Sequence, residues 1–203
     1  MDNIEKELEA GRAVILPTET VYGIFAKALD QEAVDYIYEL KRRPRDKALN
    51  LNVADEKTIR IYSKNQPSYL TKLIHSFLPG PLTIILQANE KVPNWIHSGL
   101  DTVGFRIPAH PKTLDLIRKY GPLVGPSANL SGHASGTKYR AIVSEFDQVV
   151  PGIEDDDFLT GQDSTILDIS SSKARILRQG SITKVDLLAQ VPELSFEEDE
   201  LPQ

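Results

Sequence analysis

Apolar positions in this chain come in short bursts with two different periods. Residues 13–16 form a four-residue apolar run stopped by Pro17, the mark of a short buried strand. Ahead of it, residues 2–10 read as a helix ended by Gly11, with Asp2 and Glu5 at capping-box spacing. Beyond it, Ala33, Val34, Ile37 and Leu40 recur three or four apart, a helical stripe that Asp30 is placed to cap. Further strands are predicted at residues 49–53, 82–86, 102–107, 123–124 and 149–150, with a closing pair at 164–169 and 174–177. Helices are predicted at residues 67–77, at 111–120 with Pro111 in the first turn and Gly121 at the end, and at 138–146. Strands and helices alternate irregularly, which predicts an α/β fold with a mixed sheet rather than a parallel one.

Composition narrows this picture. The 203 residues suit one domain spanning 1–203, in which residues 183–203 form a short, acidic, partly mobile extension ending in Glu197-Glu198-Asp199-Glu200. The net charge of -6 and pI near 5.3 argue against a surface that coats nucleic acid. There is no cysteine, hence no disulfide framework and no thiolate metal site. The first residues predict no signal peptide, and no apolar run reaches membrane-spanning length, so a cytoplasmic protein is expected. Against this acidic background, residues 41–47 hold five of the 23 basic residues. The cluster follows a helical pattern, where the dipole favours cations, and Pro44 interrupts it. Pro44 takes Arg43 out of helical geometry, and an extended chain there puts Lys41 and Arg43 on one side with Arg42 opposite. The cluster reads as the rim of an anion site or as a solvated helix end.

Four other segments carry polar groups at strand ends. Thr18 and Thr20 flank Glu19 just after the first strand, with Tyr22 beside them, either as a substrate corner or as a polar turn over a buried tyrosine. Gly125-Pro126-Ser127-Ala128-Asn129-Leu130-Ser131-Gly132 is a small-residue loop suited to a phosphate or a base, but it is neither a Walker loop nor a nucleophile elbow. Arg106 lies in a strand and, facing inward, needs an anionic partner. Ser164 and Arg178 flank the last hairpin. The four histidines are far apart, without metal-ligand spacing; His75 reads as a helix-surface residue, His97 and His110 as loop residues.

In this order the segments resemble the threonylcarbamoyl-AMP synthase, or YrdC-like, family. The matching stretches are residues 16–23, 41–44, 79–83, 106–111, 126–132, 163–168 and 176–180. The resemblance implies a twisted sheet with flanking helices around an open, positively lined cavity. It implies synthesis of threonylcarbamoyl-AMP and pyrophosphate from L-threonine, bicarbonate and ATP. Partner proteins then move the threonylcarbamoyl group to adenosine 37 of tRNA. The family signature, Lys-x-Arg with Ser-x-Asn, falls here on Lys41, Arg43, Ser127 and Asn129. By the same resemblance, ATP meets Arg43, Lys47, Thr102, Ser127, Asn129, Ser135 and Arg178, and threonine meets Thr20, Asn52, Arg106 and Ser164. Mg²⁺ comes with ATP, with no protein ligand assigned. The residue types suit a reaction that joins two anions, where cations and donors matter more than a protein nucleophile.

The chain departs from the family pattern at three places. Lys47-Ala48-Leu49 stands for Asn-Pro-Leu, Asn52 for a histidine, and Gly23-Ile24-Phe25 for Gly-Leu-Gly. Asn52 can hydrogen-bond a hydroxyl but cannot titrate near neutrality. Two other readings follow: a module that binds tRNA or double-stranded RNA without making the adenylate, and a paralogue with a changed substrate.

Overall fold

A computed structural model describes residues 2–147 and 149–197, without the side chain of Asp2. In chain order the elements are α1 (Asp2–Glu9), β1 (Val14–Leu16), β2 (Gly23–Lys27), α2 (Gln31–Leu40), β3 (Leu51–Asn52), α3 (Glu56–Tyr62), β4 (Ser63–Lys64), α4 (Leu70–Phe77), β5 (Leu82–Ala88), α5 (Asn94–His97), β6 (Thr102–Arg106), α6 (Pro111–Tyr120), β7 (Leu123–Val124), α7 (Tyr139–Ser144), β8 (Thr165–Asp168), β9 (Arg175–Arg178) and α8 (Lys184–Gln190).

The strands of the described residues form one mixed sheet in the order β1-β2-β7-β3-β6-β5-β8-β9, with β4 extending one end of β5. The β3/β6 and β5/β8 pairs are parallel and the others antiparallel. Side chains alternate between faces along each strand, and that parity divides the molecule. Ile24, Leu51, Leu82, Ile84, Phe105, Val124 and Leu167 point to one face, where α2 and α4 cover them to form the main core. On the opposite face a smaller cluster joins Val14, Leu16, Phe25 and Leu123 to α1 and α6. The residues of opposite parity in the sheet centre, Asn52, Thr83, Arg106 and Ile166, line an open cavity instead.

Several elements differ from the sequence reading. Residues 149–150 form no strand; Val149 is 90% exposed, and the sheet contact is a bridge from Ile15 to Gly152. β2 lies where the sequence reading assigned no element, and the run is buried on both sides, so it shows no alternation. Within the expected C-terminal extension, α8 is closed by a reciprocal capping box between Thr183 and Asp186. Leu187 packs into the main core, and Glu197 donates its backbone N–H to Ala174. The expected Asp2 capping interaction and residues 198–200 lie outside the described atoms. His110 is a loop residue, as expected, but it is buried; it immediately precedes α6 and meets Asp155 through Nε2 at 3.2 Å.

Candidate active site

The site begins at the end of α2. Arg42 N–H bonds Glu39 C=O at 3.0 Å and Arg43 N–H bonds Tyr38 C=O at 2.8 Å, the paired bonds of a Schellman turn. Arg42 holds the left-handed position of that turn at φ 50°, a place glycine usually takes. This turn, not an extended segment, sends neighbouring basic side chains in different directions. Lys41 turns inward and is 2% exposed. Arg42 pairs on the surface with Asp147 at 2.7 Å. Arg43 lines the cavity, with its Nη2 on Ala48 C=O at 2.9 Å and its Nε on Lys47 C=O at 3.2 Å. Burial lowers the pKa of Arg43 from its ordinary value. Arg45 is paired with Asp35 and stacks over Tyr38. Lys47 contributes its carbonyl, which also accepts from Tyr38 Oη at 2.8 Å; its side chain is exposed.

The Lys41 ammonium sits against the carbonyl oxygens of Ser127 and Asn129. Burial, then the nearby Arg43 charge, pulls it down to about 7, against the weaker pull of Glu145. The loop it holds is anchored on its other side by β2, through Ile24 N–H to Pro126 C=O and Ala128 N–H to Tyr22 C=O. Ser127 lines the cavity. Asn129 is buried and folds its amide back onto the Leu130 and His133 carbonyls at 2.9 Å each.

Opposite this loop is the corner made by residues 18–20 and the end of β6. Arg106 Nη2 donates to Glu19 Oε1 and to Thr20 Oγ1, both at 2.7 Å. Glu19 Oε2 also accepts from Ala109 N–H at 2.9 Å, so the carboxylate is held on both oxygens. Thr18 and Thr20 are buried and bonded to each other at 2.9 Å. The buried Nε of Arg106 has no partner among the described residues. Tyr22 lines the cavity beside Thr18, while its hydroxyl donates to Asp156 at 2.9 Å and accepts from Asp155 N–H, pinning the acidic loop. Thr160 and Gly161 continue this seam by donating backbone N–H groups to Glu19 and Thr20 carbonyls.

The third wall comes from β8 and β9. Arg178 donates through Nε to Ser164 C=O at 2.9 Å and through Nη2 to Ser164 Oγ at 3.0 Å. Thr83 meets the same hydroxyl at 3.1 Å. Asp163 accepts from Ser135 Oγ at 3.3 Å and lies 3.8 Å from Arg178 Nη1. Asn52 and the backbones of Gly23 and Gly125 form the floor. The ring of Phe25 fills the space below both glycines; a Cβ at either would come within 2.5 Å of it. The cavity, about 270 Å³, thus gathers Arg43, Asn52, Arg106, Ser127, Ser164 and Arg178. Lys41, Thr20, Asn129 and Ser135 stand behind its walls. Thr102 is at the far end of β6, paired with Gln87, about 13 Å of strand from Arg106. Glu19, Thr83, Asn50 and Asp163 were not singled out from the sequence. For Glu19 the signal was present: an acid between two threonines, in a chain with an inward strand arginine needing a partner. The lining is mixed, not uniformly positive, because Arg106 faces Glu19 and Arg178 faces Asp163.

An open stretch of sheet face with three arginines and strand-end hydroxyls, and no histidine or cysteine in its lining, defines an α/β protein whose cavity presents fixed hydrogen-bond donors of the kind that suit anionic groups. The chain belongs to the Sua5/YciO/YrdC family, whose model, described as "Telomere recombination", matches residues 6–180. It is 38% identical over 177 residues to the threonylcarbamoyl-AMP synthase of Pyrococcus abyssi, covering 86% of this chain and 52% of that protein. It is 38% identical over 185 residues to that of Bacillus subtilis, covering 90% and 54%. The solved structure of P. abyssi Sua5 complexed with L-threonine superposes with a TM-score of 0.87 at 36% identity, covering 95% of this chain and 57% of that one. The chain therefore spans about half the length of these relatives. No helix among the described residues is long and apolar enough to cross a membrane.

Proposed function

We propose that this chain is an L-threonylcarbamoyladenylate synthase, a nucleotidyltransferase acting in the cytoplasm on L-threonine, bicarbonate and ATP. The observation that carries the reading is the convergence of Arg43, Arg106, Ser127, Ser164 and Arg178, from five separate segments, on one cavity. A relative with the same fold binds L-threonine. Arg106, steadied from behind by the Thr20 hydroxyl, holds the threonine carboxylate, and Asn52 and Ser164 meet the rest of the amino acid. The amine and bicarbonate condense to a carbamate with loss of water. A carbamate oxygen then forms a bond to the α-phosphorus as the bond to the β-phosphate oxygen breaks, releasing pyrophosphate. Arg43 and Arg178 offset the charge moving onto the leaving group, and Ser127 supplies a donor beside it. The fixed walls align two anions that would otherwise repel. No covalent enzyme intermediate is required.

No group of three or more His, Cys, Asp or Glu able to hold a metal occurs among the described residues, so the donor set does not fit a resident ion. Mg²⁺ is treated as part of the Mg-ATP substrate. The product passes to proteins that modify adenosine 37 of tRNA. The test is pyrophosphate release from purified protein with threonine, bicarbonate and Mg-ATP. Arg43→Ala is expected to lose about 10²-fold or more of the rate with its circular dichroism unchanged. Folded protein without threonine-dependent pyrophosphate overturns the reading.

A further inference from the structure

A buried cation next to an anion site invites the assumption that it touches the anion, and the geometry around Lys41 says otherwise. The side chain is 2% exposed and is not part of the cavity lining, whereas Arg43 is. Its ammonium is engaged by two main-chain carbonyls, those of Ser127 and Asn129, and its own carbonyl accepts from Ser131 N–H at 2.9 Å. Three alternate residues of one loop are thereby tied to the end of α2. The other bonds within the loop are internal: Asn129 N–H to Ser127, His133 N–H to Leu130, and the Asn129 amide to Leu130 and His133. Internal bonds hold the loop's shape but not its position. Position comes from β2 on one side and Lys41 on the other, with His133 Nδ1 lying 3.6 Å from Glu145 Oε2 at the loop's far end.

We infer that Lys41 is a positioning residue, a strut that sets the Ser127 wall of the cavity against Arg43 and makes no contact with the nucleotide. An ammonium suits the task. It offers three donors on a compact head, and two of them meet the Ser127 and Asn129 carbonyl oxygens. The Schellman turn is what allows it, since Arg42 reverses the chain so that Lys41 and Arg43 reach opposite sides of the same wall. The inference deepens the proposed nucleotide site and rests on it only for the affinity measurement below. Loop order is read on the ligand-free protein.

The experiment compares the parent with Lys41→Met, which keeps length and loses the donors. Hydrogen exchange in the ligand-free protein is expected to speed up at least tenfold in a peptide covering residues 127–133, with residues 102–106 unchanged. Mg-ATP affinity is expected to fall at least tenfold while threonine affinity stays within twofold. In Lys41→Ala, added n-butylammonium is expected to restore protection of the loop. Unchanged loop exchange together with lost Mg-ATP affinity overturns the inference, as that pattern marks a direct contact. If neither variant folds, ¹⁵N spectra of the parent's Lys41 Nζ decide. A signal slow to exchange and unmoved by Mg-ATP supports the strut; coupling to a phosphate overturns it. Failure of the parent to bind Mg-ATP would count against the proposed function and leave the exchange result standing.

Discussion

Removing the charge of Glu19 tests the corner that holds Arg106. Glu19→Gln keeps the shape and an oxygen for Ala109 N–H but leaves the guanidinium without its counter-charge. The Nη2–Oε1 distance is 2.7 Å, and the two side chains are only 13% and 15% exposed. At an effective dielectric constant near 20, the gross attraction is about 6 kcal/mol. Desolvation of both groups cancels much of it, and breaking a buried pair costs about 3–5 kcal/mol. The Thr20 hydroxyl remains on the same nitrogen, and the pair is partly exposed, so a net loss of about 2–3 kcal/mol is expected. For a chain of this size that lowers Tm by roughly 4–12 °C. Urea unfolding followed by circular dichroism measures it directly. Added threonine is expected to narrow the gap, because its carboxylate supplies the charge that Glu19 no longer gives. A variant within about 0.5 kcal/mol of the parent would refute the view of Arg106 as a buried charge held by Glu19.

Two further predictions concern the floor and the strut. Phe25→Ala empties the space below Gly23 and Gly125 and is expected to cost about 3–5 kcal/mol in urea unfolding; a loss under 1 kcal/mol would mean the floor collapses into the gap. Lys41 is held near 7 in the folded chain against 10.5 ordinarily, so between those values the unfolded chain carries the extra proton and stability rises with pH, the burial cost being complete below pH 7. The parent is expected to gain on Lys41→Met by about 3–4 kcal/mol between pH 7 and 10, and a difference that stays flat over that range would contradict the assignment.

How much of this was readable in the chain depends on whether a segment has one wet side. The Asp30 cap, the Ala33–Leu40 stripe and the Pro111/Gly121 helix boundaries were legible because local chemistry sets them. β2 was not, since its first four residues are buried on both sheet faces and carry no period. α3 buries only Ile59 and so lacks a stripe, although Asp55 caps it as the sequence would suggest. Arg106 was recognisable as a charge in a strand, but Glu19 needed the topology that brings residue 19 beside residue 106. Asp163 was missed because a carboxylate is not expected in a cavity for anions; it stands there oriented by Ser135 and opposite Arg178.

The parity of the central strands limits how this protein can change. Phe105 and Arg106, or Leu51 and Asn52, are neighbours in sequence yet serve the core and the cavity respectively. One residue inserted into or deleted from β3, β5, β6 or β8 exchanges those roles along the rest of the strand. In β6 it would drive the Arg106 guanidinium among Ile84, Leu51 and Val124 and lay a phenyl ring on the cavity floor. Length variation is therefore barred from the sheet and confined to the loops, and new ligand preferences must arise by replacing side chains one at a time on a scaffold of fixed register.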